Sequence, residues 1–477
     1  MKSCFNVLST EEKTRIHERS LAILGATGVR VCNQRARQHL ADAGAAVKKG
    51  SDVVRFPAPV VEKALATTPR RFRLGARRPG WDLDMNAGGC TLLMSGSGTH
   101  ALDRRAGCIR DATFDDWLQA TRLSDALDDF GIYWRSVDAV DRPEGAAGFV
   151  DQWIHLFRHF SKHMQDSVNT PQEAVWLLEM LQVVFGGKEK LRQKKPFSFV
   201  LCPQSPLVID DVFTEAYLAL AGWGIPVAVM PMPLLGATAP ASLAATVITA
   251  NCEILAALCL IQSIEPGVPV IYAPVSAVMD PRTGNVKSGS AESGLISAAS
   301  IEMARYYQLP AETSGLGTGR YAPGIQTAVE KAVSTTTPLL AWPDVLVGAG
   351  LLGGAMILSL EQILIDVEVY RMSRRLHQGV AGGAEQMMDS AFAETPPGGH
   401  FVDHPSSLKA VRGDTLYISR LERFESLEEW ETLGRPDMLD NAREAVDRIL
   451  ADHQPLPLDA AVLRELDILR VRAGEKG

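Results

Sequence analysis

A strand–helix–strand pattern lies in the middle of the chain, in PVAVMPM (Pro226–Met232), SLAATVITANCEILAALCLIQSI (Ser242–Ile264) and PVIYAPV (Pro269–Val275). A short run rich in valine and isoleucine is typical of a buried strand, and a long apolar segment is typical of a buried helix. Two strands joined through a helix are parallel neighbours in one sheet. The segment therefore predicts a βαβ unit whose strands are covered on both faces.

The same alternation continues on both sides of this unit. The complete set of strand-like runs is Thr91–Ser97, Gly131–Val137, Lys162–Val168, Phe197–Pro203, Pro226–Met232, Pro269–Val275, Leu309–Gly317 and Asp344–Leu351. Helical segments separate them, among them Phe114–Ala126, Pro171–Phe185, Val212–Trp223, Glu292–Tyr307 and Ile325–Ser334. Eight alternating units favour a closed α/β (β/α)8 TIM barrel. An open doubly wound sheet is the alternative, but no G-x-G-x-x-G follows the first run.

The flanks of the barrel differ from it in pattern. We predict an N-terminal helical cap over residues 1–85, the barrel over 86–378 and a C-terminal helical extension over 379–477. In the cap, Ser9 and Glu12 form a capping-box signal at the start of a helix. A second helix is predicted over Gln34–Ala43, followed by a strand at Val53–Phe56 and a helix at Pro59–Ala66.

Composition narrows the class of protein. The 477 residues are 46% hydrophobic and carry a net charge of −8, which argues against nucleic acid as a partner. Seven cysteines without a C-x-x-C pair favour reduced thiols in a cytoplasmic protein. The first eleven residues lack a signal core, and proline, aspartate and glycines interrupt the apolar run Ala341–Leu360, so no membrane span is predicted there. The apolar barrel exterior and the helical tail favour a homo-oligomer.

Active sites of such barrels lie at the carboxyl ends of the strands. The polar and aromatic residues predicted there are His100, Trp134, Arg135, Gln165, Gln204, Tyr272, Glu312, Arg320 and Tyr321. Glu312 is the one carboxylate in this set, so acid–base groups are scarce. Aromatic faces bind quaternary ammonium ions, and Tyr272 is the aromatic residue we expect to face the barrel lumen.

Several loops at these strand ends are rich in glycine: Gly96, Gly98, Gly317, Gly319, Gly348 and Gly350. Small residues open the mouth and let a bulky ligand approach the backbone. The alternative is a set of tight loops that need a positive φ. Residues 348–353 fit G-x-G-x-x-G, but no later strand follows to complete a nucleotide-binding unit.

Metal and nucleophile chemistry have weaker signals. His155, His159 and His163 recur every four residues, but His163 is predicted on a strand and the flanking aromatic residues indicate packing. Cys202, near a strand end, is better explained as a small buried hydrophobe than as a nucleophile. We therefore predict no metal and leave the catalytic residue open.

Segments along nearly the whole chain resemble the trimethylamine methyltransferase family. They are Leu8–Glu12, Ile16–Glu18, Leu24–Val29, the MPLLGATAPASLA segment Met232–Ala244, Pro269–Tyr272, Gln326 with Glu330–Lys331, Ser359–Glu361 with Asp366 and Glu368, and Gly398–Phe401. Met232–Ala244 is the most specific of these segments.

The resemblance implies a barrel that receives a methylated amine and docks a separate corrinoid-binding protein. It adds Gly236, Thr238 and His400 to the glycine loops as residues expected on the corrinoid side. Members with pyrrolysine act on trimethylamine, and the loop Gly317–Tyr321 contains only standard residues. The chain is thus similar to the branch that includes glycine betaine methyltransferase.

The predicted reaction is methyl transfer from a quaternary amine to cob(I)alamin. A quaternary nitrogen needs no protonation to leave, which accounts for the scarcity of acid–base groups. Arg135 or Arg320 could hold a substrate carboxylate as a bidentate fork. A metal-dependent barrel hydrolase or lyase and a non-catalytic binding protein for methylated amines remain the alternatives.

Overall fold

Eight parallel strands form a closed barrel in the computed structural model, which describes residues 5–94, 98–413 and 415–475. The strands are β1 (Thr91–Met94), β2 (Phe130–Tyr133), β3 (His163–Asp166), β4 (Phe197–Leu201), β5 (Val227–Val229), β6 (Val270–Tyr272), β7 (Glu312–Ser314) and β8 (Val345–Ala349). Each strand pairs with its neighbours in chain order. The barrel closes where the amide of Tyr272 donates to the carbonyl of Pro310 at 2.9 Å. The predicted barrel is confirmed, and each predicted run contains all or most of one strand.

A helix follows every strand and covers the barrel. The helices are α1 (Phe114–Ala126), α2 (Gly145–His159), α3 (Pro171–Phe185), α4 (Asp211–Leu220), α5 (Leu243–Ile264), α6 (Ala291–Tyr306), α7 (Ile325–Ala341) and α8 (Leu360–Gln378), with the short helix Lys188–Lys194 after α3. Of the helices in the described part of the chain, α5 alone is long and apolar enough to cross a membrane, but 78% of its apolar window is buried inside the protein. Its composition is therefore that of a core helix.

A hairpin closes the amino-terminal end of the barrel. Its strands are Phe72–Leu74 and Leu83–Met85, and Leu74 and Met85 belong to the same buried cluster as the barrel-interior side chains. The amide of Arg78 donates to the carbonyl of Ser161 at 2.6 Å, just before β3 begins. The hairpin, here called the plug, leaves the carboxyl end of the strands as the open end.

The rest of the N-terminal region packs on the outside. The helices Thr10–Ala26, Gln34–Asp42 and Ala58–Thr67 all contact α5. The strands Val29–Val31, Ala46–Val47 and Val53–Arg55 join Val208–Ile209 in a four-stranded sheet. The predicted capping box is present, since the Glu12 amide donates to Ser9 Oγ and the Ser9 amide donates to the Glu12 carboxylate.

Short hairpins lie at the open end of the barrel. The C-terminal extension is helical. The hairpin strands are His100–Leu102, Ile109–Asp111, Leu351–Leu352 and Ile357–Leu358 in one sheet, and Leu234–Leu235, Ala277–Met279 and Val286–Lys287 in another. The helices of the extension are Ala384–Met387, Asp389–Glu394, Pro405–Arg412, Leu427–Thr432, Met438–Asp452 and Ala460–Gly474. Met438–Asp452 packs against α8 and α1, whereas Ala460–Gly474 packs against α2 and α3.

Candidate active site

A chain of polar side chains crosses the interior of the barrel. Gln165 on β3 donates from its amide to Glu312 Oε1 on β7 at 2.8 Å, and Ser198 Oγ on β4 donates to Gln165 Oε1 at 3.0 Å. His163 Nε2 lies 2.9 Å from Ser198 Oγ, and His163 Nδ1 lies 3.0 Å from the carbonyl oxygen of Gly75 in the plug. Alternate residues of a strand face the same side, so His163 and Gln165 both point inward. We call Glu312, Gln165, Ser198 and His163 the barrel chain.

Glu312 ends the barrel chain with an unused acceptor. Its side chain is fully buried, and its Oε2 has no hydrogen-bond partner among the described residues. Burial raises the pKa of Glu312 to about 8, against the smaller lowering effect of the Gln165 hydrogen bond. The interior therefore holds a carboxylic acid that favours its neutral form at pH 7. An unpaired acceptor in such a place is the strongest indication of a ligand site in the barrel.

Cys202 lies on the inward face just after β4. It is close enough to Glu312 for the Glu312 charge to raise the pKa of the Cys202 thiol. Burial raises the pKa of the Cys202 thiol to about 12, so it carries no thiolate at neutral pH. A thiol in that state is a poor nucleophile, which agrees with its interpretation as a small apolar residue.

The predicted aromatic residues take three different positions. Trp134 points into the barrel, in the cluster that contains Ile132 and Ala273. Tyr321 is exposed on the rim after β7. The prediction for Tyr272 was wrong, because its hydroxyl donates to Asn251 Oδ1 on α5 at 3.0 Å, outside the barrel wall. The inward residues here are Ile271 in the strand and Ala273 just after it.

The two candidate arginines also differ. The Arg135 guanidinium already forms ion pairs with two carboxylates of this protein, Asp138 at 3.1 Å and Asp166 at 3.4 Å. The Asp166 charge raises the pKa of Arg135, so the guanidinium stays charged and already has internal partners, and its role as a substrate clamp stays a prediction. Arg320 is exposed on the rim, where it borders a cleft with Gly319 and Lys287.

His100 and Gln204 lie beyond the carboxyl ends of β1 and β4, and within the described part of the protein neither is hydrogen-bonded to the barrel chain. His100 Nδ1 is 2.8 Å from Thr99 Oγ1, and its Nε2 is 3.7 Å from Asp111 Oδ1. Gln204 is exposed and donates to Asp210 Oδ2 at 3.3 Å. Of the predicted substrate residues, the structure brings Gln165 and Glu312 into direct contact.

Internal packing accounts for the glycines after β7 and β8. A Cβ atom on Gly317 would lie 2.5 Å from the Ser288 oxygen, and one on Gly348 would lie 2.4 Å from the Gly315 oxygen. Gly350 has φ +82° and its Cβ would meet Ile363 at 2.5 Å. These close contacts explain the three glycines by internal packing, and their interpretation as contacts for a bulky ligand stays a prediction. Gly98 is also confined, with a Cβ position 3.2 Å from the Met356 oxygen.

The remaining residues predicted for the corrinoid side are more open. Gly319 has no neighbour closer than 3.7 Å to its Cβ position, and Gly236 is exposed in a turn with φ +86°. Thr238 closes that turn by accepting the Leu234 amide at 2.8 Å. Gly96 lies outside the described residues.

His400 lies in an exposed loop of the C-terminal extension, and its Nδ1 is 3.4 Å from Asp403 Oδ1. The sequence-spaced histidines do not converge either, since His155 and His159 stack on α2 with ring centroids 6.1 Å apart whereas His163 is inside the barrel. Among the described residues, no group of three or more histidine, cysteine, aspartate or glutamate side chains is placed to hold a metal ion.

Sequence reasoning missed two members of the barrel chain, His163 and Ser198. The sequence predicted His163 on a strand but not its direction into the barrel, and Ser198 was not among the predicted site residues. A usable signal was present, because polar residues at alternate positions inside apolar strands indicate an inward polar face. His163 and Gln165 are two residues apart, and Ser198 is the register partner of Gln165.

These features define a (β/α)8-barrel protein that is plugged at one end and holds a buried acid in its interior. The chain belongs to the family described as trimethylamine methyltransferase (MTTB), whose model matches residues 2–473. It is therefore a methyltransferase by family, as its sequence segments predicted.

Several methyltransferases are similar to this protein over nearly its whole length. Trimethylamine methyltransferase MttB of Desulfitobacterium hafniense is 30% identical and covers 96% of this chain and 92% of its own. MttB of Methanosarcina barkeri is 29% identical, covering 97% and 94%. Glycine betaine methyltransferase of Desulfitobacterium hafniense is 26% identical, covering 99% and 98%. The crystal structure of Methanosarcina barkeri monomethylamine methyltransferase matches with a TM-score of 0.50 at 10% identity, covering 98% and 92%, and supports the fold.

Proposed function

We propose that this methyltransferase moves a methyl group from a quaternary amine, such as glycine betaine or a related betaine, to a corrinoid carried by a partner protein. The similarity to glycine betaine methyltransferase along 99% of the chain supports the substrate class. The standard residues of the loop Gly317–Tyr321 support it as well. The protein acts in the cytoplasm in this proposal.

The observation that carries the proposal is the buried Glu312 carboxyl with its unpartnered Oε2. A fixed positive charge beside it favours the carboxylate, because an opposite charge within a few ångström lowers an acid's pKa. In a site shielded from water this attraction is strong. Glu312 would thus bind and orient the cationic nitrogen, and Trp134 would border it inside the barrel.

The chain itself needs to supply little proton chemistry for this reaction. The leaving group of a quaternary amine is a neutral tertiary amine, which departs without a proton. Positioning of the reacting groups is then the main task of the protein. Glu312 supplies charge, and the exposed guanidinium of Arg320 would hold a substrate carboxylate at the rim.

The open end carries the residues that would face the corrinoid and its carrier protein. The exposed apolar side chains at this end are Met232, Tyr321 and Met356 in the loops after β5, β7 and β8, and Ile325 at the start of α7. Together with the open turn at Gly236, these side chains form an apolar surface. Such a surface is better suited to bind a large ring than a small ion. When bound, the corrinoid supplies a reduced cobalt that accepts the methyl group.

We also propose three units, residues 1–85, 86–378 and 379–477, and a homo-oligomer. Many exposed apolar side chains lie in residues 380–433, including Phe392, Ile418 and Phe424. Ser419 and the amide of Arg420 contact Glu368 on α8, so this segment runs along the side of the barrel. Exposed apolar surface of this kind is typical of protein–protein interfaces. We propose that a second copy of this protein covers it.

Anaerobic absorbance spectroscopy of cob(I)alamin with the protein and a panel of methylated amines tests the reaction. Loss of the cob(I)alamin band and appearance of methylcobalamin with a betaine is the expected result. Glu312→Gln, which keeps the shape and removes the ionisable group, should abolish the conversion.

The two alternative functions, a binding protein and a metal-dependent hydrolase or lyase, predict different results. Betaine binding without methyl loss, in the presence of a corrinoid protein, would indicate a binding protein. A stoichiometric metal together with hydrolysis of a substrate would indicate the hydrolase or lyase. Either result would contradict the proposal.

A further inference from the structure

The hydrogen bonds of the barrel chain have a direction, because each link contains one hydrogen atom. The carbonyl oxygen of Gly75 can only accept, so His163 Nδ1 carries a hydrogen to satisfy the 3.0 Å contact. His163 Nε2 and Glu312 stand at the two ends of the remaining links, through Ser198 and Gln165. The protonation state at one end therefore constrains the state at the other.

When Glu312 is ionised, the Gln165 amide nitrogen donates to it and the Gln165 carbonyl accepts the Ser198 hydroxyl. The Ser198 oxygen must then accept from His163 Nε2. His163 carries hydrogens on both nitrogens in this arrangement and is positively charged.

When Glu312 is protonated and His163 is neutral, all the links can be satisfied only if each of them reverses. Glu312 donates to the Gln165 carbonyl, the Gln165 amide nitrogen donates to Ser198, and the Ser198 hydroxyl donates to Nε2 of a neutral His163. A half-turn of the Gln165 amide is sufficient, because its oxygen and nitrogen have nearly the same shape. Both arrangements satisfy all the links and contain the same number of protons.

The surroundings contribute few other charges. Asp82 on the plug is the charged side chain that acts on His163, and the Cys202 thiol is the titratable group beside Glu312. Burial lowers the pKa of His163 to about 4, more strongly than the Gly75 contact and Asp82 raise it. The low pKa of His163 and the high pKa of Glu312 favour the neutral arrangement at pH 7, in which the Gln165 amide is turned over relative to the orientation given above.

We propose that Glu312 and His163 exchange one proton as a coupled pair, and that a cationic substrate beside Glu312 converts the neutral arrangement to the charged one. The O–H bond of Glu312 breaks and an N–H bond forms on His163 Nε2. The cation is met by a carboxylate, and no proton is released to solvent. This inference rests on the proposed function for the identity of the cation, and His163 is a positioning residue in it.

Calorimetry of glycine betaine binding at pH 7 tests the coupled pair. Repeating the titration in buffers with different heats of ionisation gives the number of protons released on binding. The protein should release no proton on binding, whereas Ser198→Ala, which breaks the chain, should release about one as Glu312 ionises alone. Nitrogen NMR of His163 should show Nε2 becoming protonated on binding in the unsubstituted protein. It should not do so in Ser198→Ala. Proton release by the unsubstituted protein, or a neutral His163 in the complex, would overturn the proposal.

Ser124→Ala is the matched control, because Ser124 is equally buried but its hydroxyl bonds to the Thr121 carbonyl within α1 at 2.8 Å. It should bind betaine without proton release. Thermal unfolding of each variant confirms that the fold is retained.

A second measurement needs no substrate. His163→Gln places an uncharged amide donor next to Ser198, so ionised Glu312 no longer requires a charged partner. The pKa of Glu312, followed by the infrared band of its protonated carboxyl, should fall by about one pH unit, the equivalent of one buried hydrogen bond. An unchanged pKa would refute the coupling. If betaine fails to bind, the proposed function fails, and this titration still decides the coupling.

Discussion

Glu312 is a charged residue type in a place where charge is unfavourable. Burial raises its pKa from 4.5 to about 8, so the folded protein retains a proton that the unfolded chain releases. The unfolded state binds fewer protons between these values, and stability is lost as pH rises through them. Glu312→Gln should therefore gain stability relative to the parent protein between pH 5 and pH 8. Urea unfolding at several pH values measures this, and a difference that is constant with pH would contradict it.

Arg320 and Arg135 form a test pair for recognition of a substrate carboxylate. Arg320→Ala should raise the KM for glycine betaine about tenfold or more with little change in kcat, because a charge-assisted hydrogen bond made in both ground and transition states is lost. Arg135→Ala should instead lower stability, since it leaves Asp166 buried without its partner. Steady-state kinetics and thermal unfolding separate the two effects. Equal KM values for Arg320→Ala and the parent would exclude Arg320 as the clamp.

At the scale of elements, a buried ion pair joins α7 to α8. Lys331 Nζ lies 2.7 Å from Asp366 Oδ2, and both side chains are fully buried. Asp366 also accepts the Gly350 amide at 2.7 Å, which ties the loop after β8 to the same carboxylate. Lys331 and Asp366, two of the residues on which the family resemblance rests, thus have a structural role. They hold together the helices of the last two barrel units.

Lys331→Met should lower the free energy of unfolding by about 3–5 kcal/mol, because it leaves a buried carboxylate unpaired. The double variant Lys331→Met with Asp366→Leu should recover most of that loss, since the uncompensated charge is then gone. Chemical unfolding of the two variants measures both values. A double variant as unstable as the single one would show that packing, and not charge, dominates at this join.

At the scale of the whole molecule, the plug belongs to the barrel core although it lies in the N-terminal region. Leu74 packs against interior residues of the barrel, so Leu74→Ala should cost about 2–5 kcal/mol of unfolding free energy through the cavity it creates. The plug and barrel should still unfold in one transition, seen at the same urea concentration by fluorescence and by circular dichroism. Separate transitions would mean that residues 1–85 fold as an independent unit.

Strand and helix positions of the barrel could be predicted well. Strands covered on both faces are almost continuously apolar, and the intervening helices have their own caps and apolar periodicity. Phe114–Ala126 and Pro171–Phe185 match the structure at both ends. The two-residue strands above the barrel, such as Leu234–Leu235, could not be predicted, because pairing partners and not local pattern define them.

Side-chain direction could be predicted only in part. Tyr272 was expected in the lumen, but a shift of one residue along a strand moves a side chain to the opposite face. The contact between Gln165 and Glu312 joins residues 147 positions apart. Such a contact depends on how the barrel closes, and no local pattern encodes it.

The amino-acid sequence by itself determined the alternating elements, the family and the two inward residues Gln165 and Glu312 as candidates, because these follow from local polarity and motif. Only the tertiary structure decided that Arg135 is already paired, that the glycines at 317, 348 and 350 serve packing, and that the plug closes one end. It also decided the barrel chain and the raised pKa of Glu312. The physical reason is that burial and partner geometry are properties of residues brought together from distant parts of the chain.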